Sequence, residues 1–169
     1  MLRGELYHAD DPEIQAHLSA SARLLERYNA TRHDEQEERD RLLRELLGET
    51  GDGVVIRPPF YCDYGTYISI GAGTFVNYDC VMLDVAPIRI GESCQIATMV
   101  QLLTATHPVD PEPRRLGWES AAPITIGENT VVGAGAVVTR DLPAGVVAVG
   151  SPARVLREIG PGDAVVVPA

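Results

Sequence analysis

The chain has 169 residues, 45% of them hydrophobic and 22% charged, which suits one packed domain with a small appendage and excludes global disorder. Acidic residues number 24 against 14 basic ones, for a net charge of −10, which argues against nucleic acid or an anionic membrane as the main partner. Every basic residue is arginine, so lysine Schiff-base chemistry is excluded, and no apolar run approaches the roughly 18 residues of a membrane span.

The N-terminal phrase Met1-Leu2-Arg3-Gly4-Glu5 lacks the apolar core of a signal peptide. Residues 1–52 read as a helical segment. Asp11 caps a helix with Pro12 at its first position, and Ile14, Leu18, Leu25 and Tyr28 fall on one face. Asn29-Ala30-Thr31 breaks it. A second helix is expected near Asp34, where Glu37 completes a capping-box pattern. Its apolar stripe is Leu42, Leu43, Leu46 and Leu47, and Gly48 stands where a helix usually stops. Arg39, Arg41 and Arg44 share this helix with six acidic residues and read as a solvated face.

After Gly53 the period changes to six. Aliphatic residues recur at Ile70, Val76 and Met82, at Ile90, Ile96 and Leu102, and at Ile126, Val132 and Val138. Four positions after each anchor stands a mostly small residue: Thr74, Cys80, Ala86, Cys94, Val100, Thr106, Thr130 and Ala136, with Leu142 the exception. Ile-Gly closes the near copies at 68–71, 88–91 and 124–127. A six-residue period fits neither an α-helix nor a free strand. It predicts a three-sided parallel β-helix over 53–150, with roughly 18 residues per coil and anchors pointing inward. Cys80 and Cys94 then read as small buried corner residues. With Cys62 they form no C-x-x-C and cannot all pair, as expected of reduced thiols in a cytoplasmic protein. The polar, proline-rich stretch 107–123 must loop out of the coils. Residues 151–169 read as a C-terminal extension, in which Gly150-Ser151-Pro152-Ala153-Arg154-Val155-Leu156-Arg157 leaves the coils as a strand or short helix.

Gly4-Glu5-Leu6-Tyr7, Tyr28-Asn29-Ala30-Thr31, Pro59-Phe60-Tyr61-Cys62-Asp63-Tyr64-Gly65, Thr104-Ala105-Thr106-His107-Pro108 and Gly150-Ser151-Pro152-Ala153-Arg154-Val155 resemble the maltose/galactoside O-acetyltransferases, a branch of the hexapeptide-repeat acyltransferases. The resemblance runs from about residue 2 to 159. It implies a left-handed β-helix, a homotrimer with active sites between subunits, and acetyl transfer from acetyl-CoA to a sugar hydroxyl without a metal. By resemblance His107, the one histidine of the repeat region, is the general base. An imidazole suits that task near neutral pH, and a backbone N–H can hold the oxyanion of an attacked thioester. The resemblance further places Asp63 and Asn77, and with them Asp84, at the acceptor sugar. Ala134, Thr139, Arg140, Arg154 and Arg157 match positions along CoA; three arginines within 18 residues give an acidic protein a local anchor for phosphate.

One departure stands out. Relatives follow the phrase matching Ile124–Asn129 with a further coil carrying Val-Trp-Ile-Gly and Pro-Gly-Val-x-Ile-Gly; here Asn129 runs directly into Thr130-Val131-Val132-Gly133. One coil that lines the acetyl-CoA path is absent, and Trp118, in the loop, is not its tryptophan. A second reading follows: a catalytically weak or inactive trimeric β-helix protein that binds a ligand or partner. A γ-class carbonic anhydrase would need three histidines on a metal, where the repeats have one. Xenobiotic acetyltransferases are a variant of the first reading.

Overall fold

The computed structural model describes residues 1–2 and 4–165. Arg3 of the N-terminal phrase and the end of the C-terminal extension, 166–169, lie outside the described residues. A short strand β1 (Tyr7–His8) precedes two helices, α1 (Pro12–Asn29) and α2 (Gln36–Leu46). Asp11 does cap α1, its carboxylate accepting from Glu13 N at 2.9 Å. The capping box expected for α2 does not form: the helix starts two residues later, and Glu35 turns its carboxylate back to Arg32 N instead. Arg39 is also not part of a solvated face. It is buried, and its guanidinium donates to the carbonyls of Arg32 and His33, tying down the link between the helices. Arg41 keeps the expected surface role, pairing with Glu38 and Glu45.

The coils begin at once. The first is β2 (Glu49–Thr50), β3 (Val55–Ile56) and β4 (Phe60–Cys62); the second is β5 (Ile68–Ile70), β6 (Phe75–Val76) and β7 (Cys80–Leu83). The third is β8 (Ile88–Ile90), β9 (Gln95–Ile96) and β10 (Gln101–Leu103). The chain then makes an excursion through β11 (Ala105–Thr106), α3 (Pro111–Arg115) and β12 (Trp118–Ala121). It returns as β13 (Ile124–Ile126), β14 (Val131–Val132) and β15 (Val137–Val138), followed by β16 (Val146–Val149) and β17 (Arg154–Glu158). Three parallel faces result: β13-β8-β5-β2, β16-β14-β9-β6-β3 and β15-β10-β7-β4. Strand β17 folds back antiparallel on β16 and ends the second face. The expected parallel β-helix is the observed fold.

Register explains the anchors. Ile70 lies beside Ile90, Ile90 beside Ile126, and Ile126 beside Leu142; Val76, Ile96, Val132 and Ala148 form a second column. Met82, Leu102 and Val138 form the third. All are buried, and they merge into one core with Leu42, Leu46 and Tyr28 of the helices. Leu142, irregular among the corner residues, belongs to an anchor column. Coils are not uniformly 18 residues long. Ile70 to Ile90 is a step of 20, because two residues are added at the edge between the third and first faces; Ile126 to Leu142 is a step of 16. The expected corner residue Thr106 is exposed on β11, since the excursion has already begun; Thr104 is buried in its place and donates to Leu83 O at 2.6 Å.

The remaining edges turn by one rule. The third residue after an anchor has a left-handed backbone at Gly73, Asp79, Ser93, Met99, Asn129 and Gly135. On the edge between the first and second faces, successive coils also come together at the residue just after the anchor. A Cβ on Gly71 would lie 2.6 Å from Glu92 N, and one on Gly91 would lie 2.5 Å from Glu128 N. That close approach is the reason for the repeated Ile-Gly. Gly91→Ala is therefore expected to lower stability by about 1–3 kcal/mol through overpacking against backbone, whereas Gly160→Ala, with open space around it, stays within about 0.5 kcal/mol of wild type. Urea unfolding midpoints of the two variants check this.

Candidate active site

The two residues added at the edge between the third and first faces let the chain seat Asp84. Its side chain is fully buried, and its carboxylate accepts from Asp63 N (3.1 Å), Tyr64 N (2.8 Å) and Tyr67 N (3.2 Å) of the preceding coil. Burial still pushes the Asp84 carboxyl up, against the pull of these donors. Asp84 thus shapes the 63–67 turn from within. Asp63 stands at the mouth of that turn. Burial first, then the charges of Asp84 and Glu119, raise its carboxyl to about 6. Neighbouring Cys62 is likewise pushed up by burial and by Asp84 and Asp63, so its thiol stays protonated and is a poor nucleophile.

The excursion above this edge is not an irregular loop. Strands β11 and β12 pair antiparallel, Thr106 opposite Ser120, with α3 bridging them; Asp110 caps α3 by accepting from Glu112 N at 3.0 Å. β1 from the N-terminus adds a third strand, Tyr7 opposite Glu119 and His8 opposite Trp118. The Trp118 ring packs on His8 at 3.9 Å between centroids. This small sheet brings together residues 112 apart in the chain: the Tyr7 hydroxyl donates to Glu119 Oε2 at 2.8 Å. The other carboxylate oxygen, Oε1, stands 3.8 Å from Nδ1 of His107. His107 follows β11 directly, and its side chain is 62% exposed while that of Glu119 is 24% exposed. Burial and the Glu119 contact together push the Tyr7 phenol above its ordinary range, so it remains a donor. Tyr64 packs in one apolar cluster with Tyr7, Ala105 and Ala121. It is buried, and burial with the charges of Asp63 and Asp84 raises its phenol to about 12. An exposed imidazole with Nδ1 toward a carboxylate leaves its other ring nitrogen available to take a proton.

The other sequence-expected residues lie elsewhere on the prism. Thr139 and Arg140 are exposed on the same edge, past β15. Asn77 and the exposed Ala134 occupy the edge between the second and third faces. A face is roughly six residues long at about 3.3 Å each, on the order of 20 Å, so Asn77 and Asp63 of one chain cannot touch one small sugar. Arg154 and Arg157 are on β17, exposed, and Arg157 is paired with Asp163 at 2.8 Å. Glu119 and Tyr7 were not expected from sequence; only the strand pairing across 112 residues marks them. Among the described residues no cluster of three or more His, Cys, Asp or Glu is arranged to hold a metal ion, and no helix is long and apolar enough to cross a membrane.

Residues 1–51 match the family model described as the maltose acetyltransferase hexapeptide capping motif. Nodulation protein L of Rhizobium meliloti (strain 1021) is 50% identical, over 92% of this chain and 94% of its own length. The chain belongs to the maltose/galactoside O-acetyltransferase family. Among solved structures, a maltose O-acetyltransferase from Clostridium difficile 630 is 38% identical with a TM-score of 0.85, covering 94% of this chain and 95% of that one. A galactoside acetyltransferase in complex with coenzyme A has the same TM-score at 32% identity, covering 96% of this chain and 90% of that one. This family member is shortened. The alignment with nodulation protein L runs over 173 residues, more than the whole 169-residue chain. The coils nevertheless stay in register across the junction, β14 pairing directly with β9 and β15 with β10.

The raised Asp63 carboxyl has a consequence for stability. With a folded value of about 6 against an ordinary 3.8, the folded state holds the proton more tightly, so this group's contribution is full below 3.8 and is lost as pH rises to about 6. Asp63→Asn is expected to flatten that fall, seen as a smaller change in urea midpoint between pH 4 and pH 7 than in wild type.

Proposed function

We propose that the protein transfers an acetyl group from acetyl-CoA to a hydroxyl of a sugar or similar small molecule, with His107 as general base. One observation carries the reading: an exposed imidazole whose Nδ1 faces a carboxylate that is itself fixed by a buried phenol. Nε2 of His107 takes the proton of the acceptor hydroxyl as that oxygen attacks the thioester carbon. The new C–O bond forms, the C–S bond breaks, and the proton passes from Nε2 to the departing thiolate, giving the O-acetyl product and CoA thiol. Glu119 orients the ring and offsets its charge while it carries the proton; Tyr7 acts through Glu119 as a positioning residue. A backbone N–H serves as the oxyanion donor.

Asp63 accepts from an acceptor hydroxyl, and Asp84 supports it through the 63–67 turn. Asn77 reaches the same sugar from a neighbouring copy, because it lies on the other edge of the prism. That separation supports a homotrimer with the site between subunits. Ala134 of that neighbouring edge and Thr139 line the CoA arm, and Arg140, Arg154 and Arg157 take its phosphates. The three unpaired thiols and the acidic surface suit a cytoplasmic enzyme acting on a small molecule. Maltose- or galactoside-like acceptors are the first to try, since they name the relatives. The alternative, a weak or inactive binding protein, draws on the missing coil and on the pairing of Arg157 with Asp163, which holds one phosphate-binding arginine in place of CoA.

Thiol release from acetyl-CoA with a panel of sugars decides between them. Wild type is expected to release CoA in the presence of an acceptor, and His107→Ala to lose about 100-fold or more in kcat/KM. No release above background, with no thermal shift by acetyl-CoA, would sink the enzyme reading. Tyr7→Phe is expected to cost roughly tenfold, about 1.4 kcal/mol, in wild type and far less in a Glu119→Gln background, because both changes interrupt one chain. Additive losses in that double-mutant cycle count against the positioning role.

A further inference from the structure

A concavity of about 390 Å³ lies between the link joining α1 to α2 and the outer side of the second face. That volume is within the range of small-molecule sites, roughly 300–1,000 Å³. Its basic lining residues are His33, Arg39 and Arg57, and no carboxylate lines it, although the chain has a net charge of −10. Arg39 is committed to the carbonyls of the link. Arg57 is exposed and differently held. Its Cζ lies 5.2 Å from the centroid of the Phe75 ring and 4.9 Å from that of Tyr78, so two aromatic rings hold the guanidinium by cation–π attraction. Among the described residues it has no carboxylate partner, unlike Arg32, Arg41 and Arg157. The acids of the link are turned elsewhere: Asp34 pairs with the Arg32 guanidinium at 3.4 Å, and Glu35 accepts from Arg32 N. A guanidinium held by rings keeps its N–H donors for a planar or tetrahedral oxyanion.

The register places this arginine beside the acceptor. Ile56 lies next to Val76, and Arg57 N donates to Val76 O at 2.9 Å. Arg57 is therefore stacked one coil below Asn77 on the same edge, at the strand spacing of about 4.8 Å. Asn77 also fixes the start of Tyr78, its Oδ1 accepting from Tyr78 N at 2.9 Å, and its side-chain N–H groups remain donors. Ala134, expected along CoA, stands on this edge beyond Asn77 in the opposite direction, because Val132 pairs with Ile96 and Ile96 with Val76. Asn77 thus separates Arg57 from the CoA end of the edge. An oxyanion at Arg57 belongs to the molecule that Asn77 touches.

We infer that Arg57 and the concavity beside it bind an oxyanion of the acceptor, a carboxylate or a phosphate, so that the preferred substrate is an anionic hydroxyl compound such as a sugar acid or a sugar phosphate. The inference rests on the reading above, in which Asn77 reaches the acceptor held by a neighbouring copy, and adds the acceptor's charge to it. An acidic protein repels anions at long range, so a preference for one needs a local cation of this kind.

Calorimetric titration of the full chain with glucose, glucuronate, glucose 1-phosphate and inorganic phosphate tests this, alongside CoA release with the three sugars. In wild type at least one anionic sugar is expected to bind about tenfold more tightly than glucose, with a kcat/KM about tenfold higher. Arg57→Gln is expected to bring both ratios to about twofold or less, and Arg57→Lys, which restores the charge, to recover about threefold or more. A binding preference absent from wild type, unchanged in Arg57→Gln or reversed in turnover overturns the anion subsite. So does inorganic phosphate binding as tightly as glucose 1-phosphate, which marks an ion site with no role for the sugar. Loss of the thermal shift by acetyl-CoA in Arg57→Gln assigns the arginine to a CoA phosphate and equally overturns it. If the binding preference holds while wild type releases no CoA with any sugar, the transfer reaction falls and the anion subsite stands. If glucose is acetylated but no anionic preference exists, the subsite falls and the transfer reaction stands.

Discussion

Everything in this molecule follows from the close stacking of one coil on the next. Each coil must turn three times and still let its neighbour approach to the strand spacing of about 4.8 Å. A left-handed residue at the corner meets that demand on two edges, as at Asn129, and on the edge between the first and second faces a glycine just after the anchor joins it, as at Gly91. Stacking closes the inner columns of isoleucine, valine and leucine, so the interior is committed to packing. Side chains with chemistry are left to the corners.

One edge departs from the compact turn. Between the third and first faces the chain carries extra residues, and these seat a buried carboxylate under the 63–67 turn, which Ser21 also holds from α1. The same edge opens into the excursion after β10. The excursion interrupts no column, because Ile124 returns beside Ile88 as though the intervening residues were not there. A solenoid tolerates such an insertion well, since each coil contacts only its neighbours. For the same reason the chain can be a coil shorter than its relatives without strain at the junction.

The N-terminal segment ties these features together. α1 and α2 cover the first coil, with Leu42, Leu46 and Tyr28 entering the main core. β1 reaches to the hairpin of the excursion and delivers Tyr7 to Glu119. α1 packs the His17 ring against Tyr64 and Tyr67. A segment whose own sequence reads as two ordinary amphipathic helices is thus one side of the proposed transfer site.

The hexad period, the inward anchors, the cap at Asp11 and the apolar stripe of α2 were all legible in the sequence, because each depends on residues within six positions of one another. His107, Asp63 and the arginines were legible only through likeness to a family whose loops they match. The misses have separate causes: the capping box at Glu37 gave way to a bond from Arg32 N to Glu35, the solvated Arg39 to two carbonyls of the link between the helices, and the corner at Thr106 to the start of the excursion. Local periodicity thus determined the coil and its core. Tertiary structure alone decided that Tyr7 meets Glu119, that Asp84 is spent on three backbone donors, and that Asn77 and Asp63 stand on different edges. The reason is physical: those relations depend on how many residues each corner holds and on a strand pairing across more than a hundred positions, and neither leaves a repeat for the sequence to display.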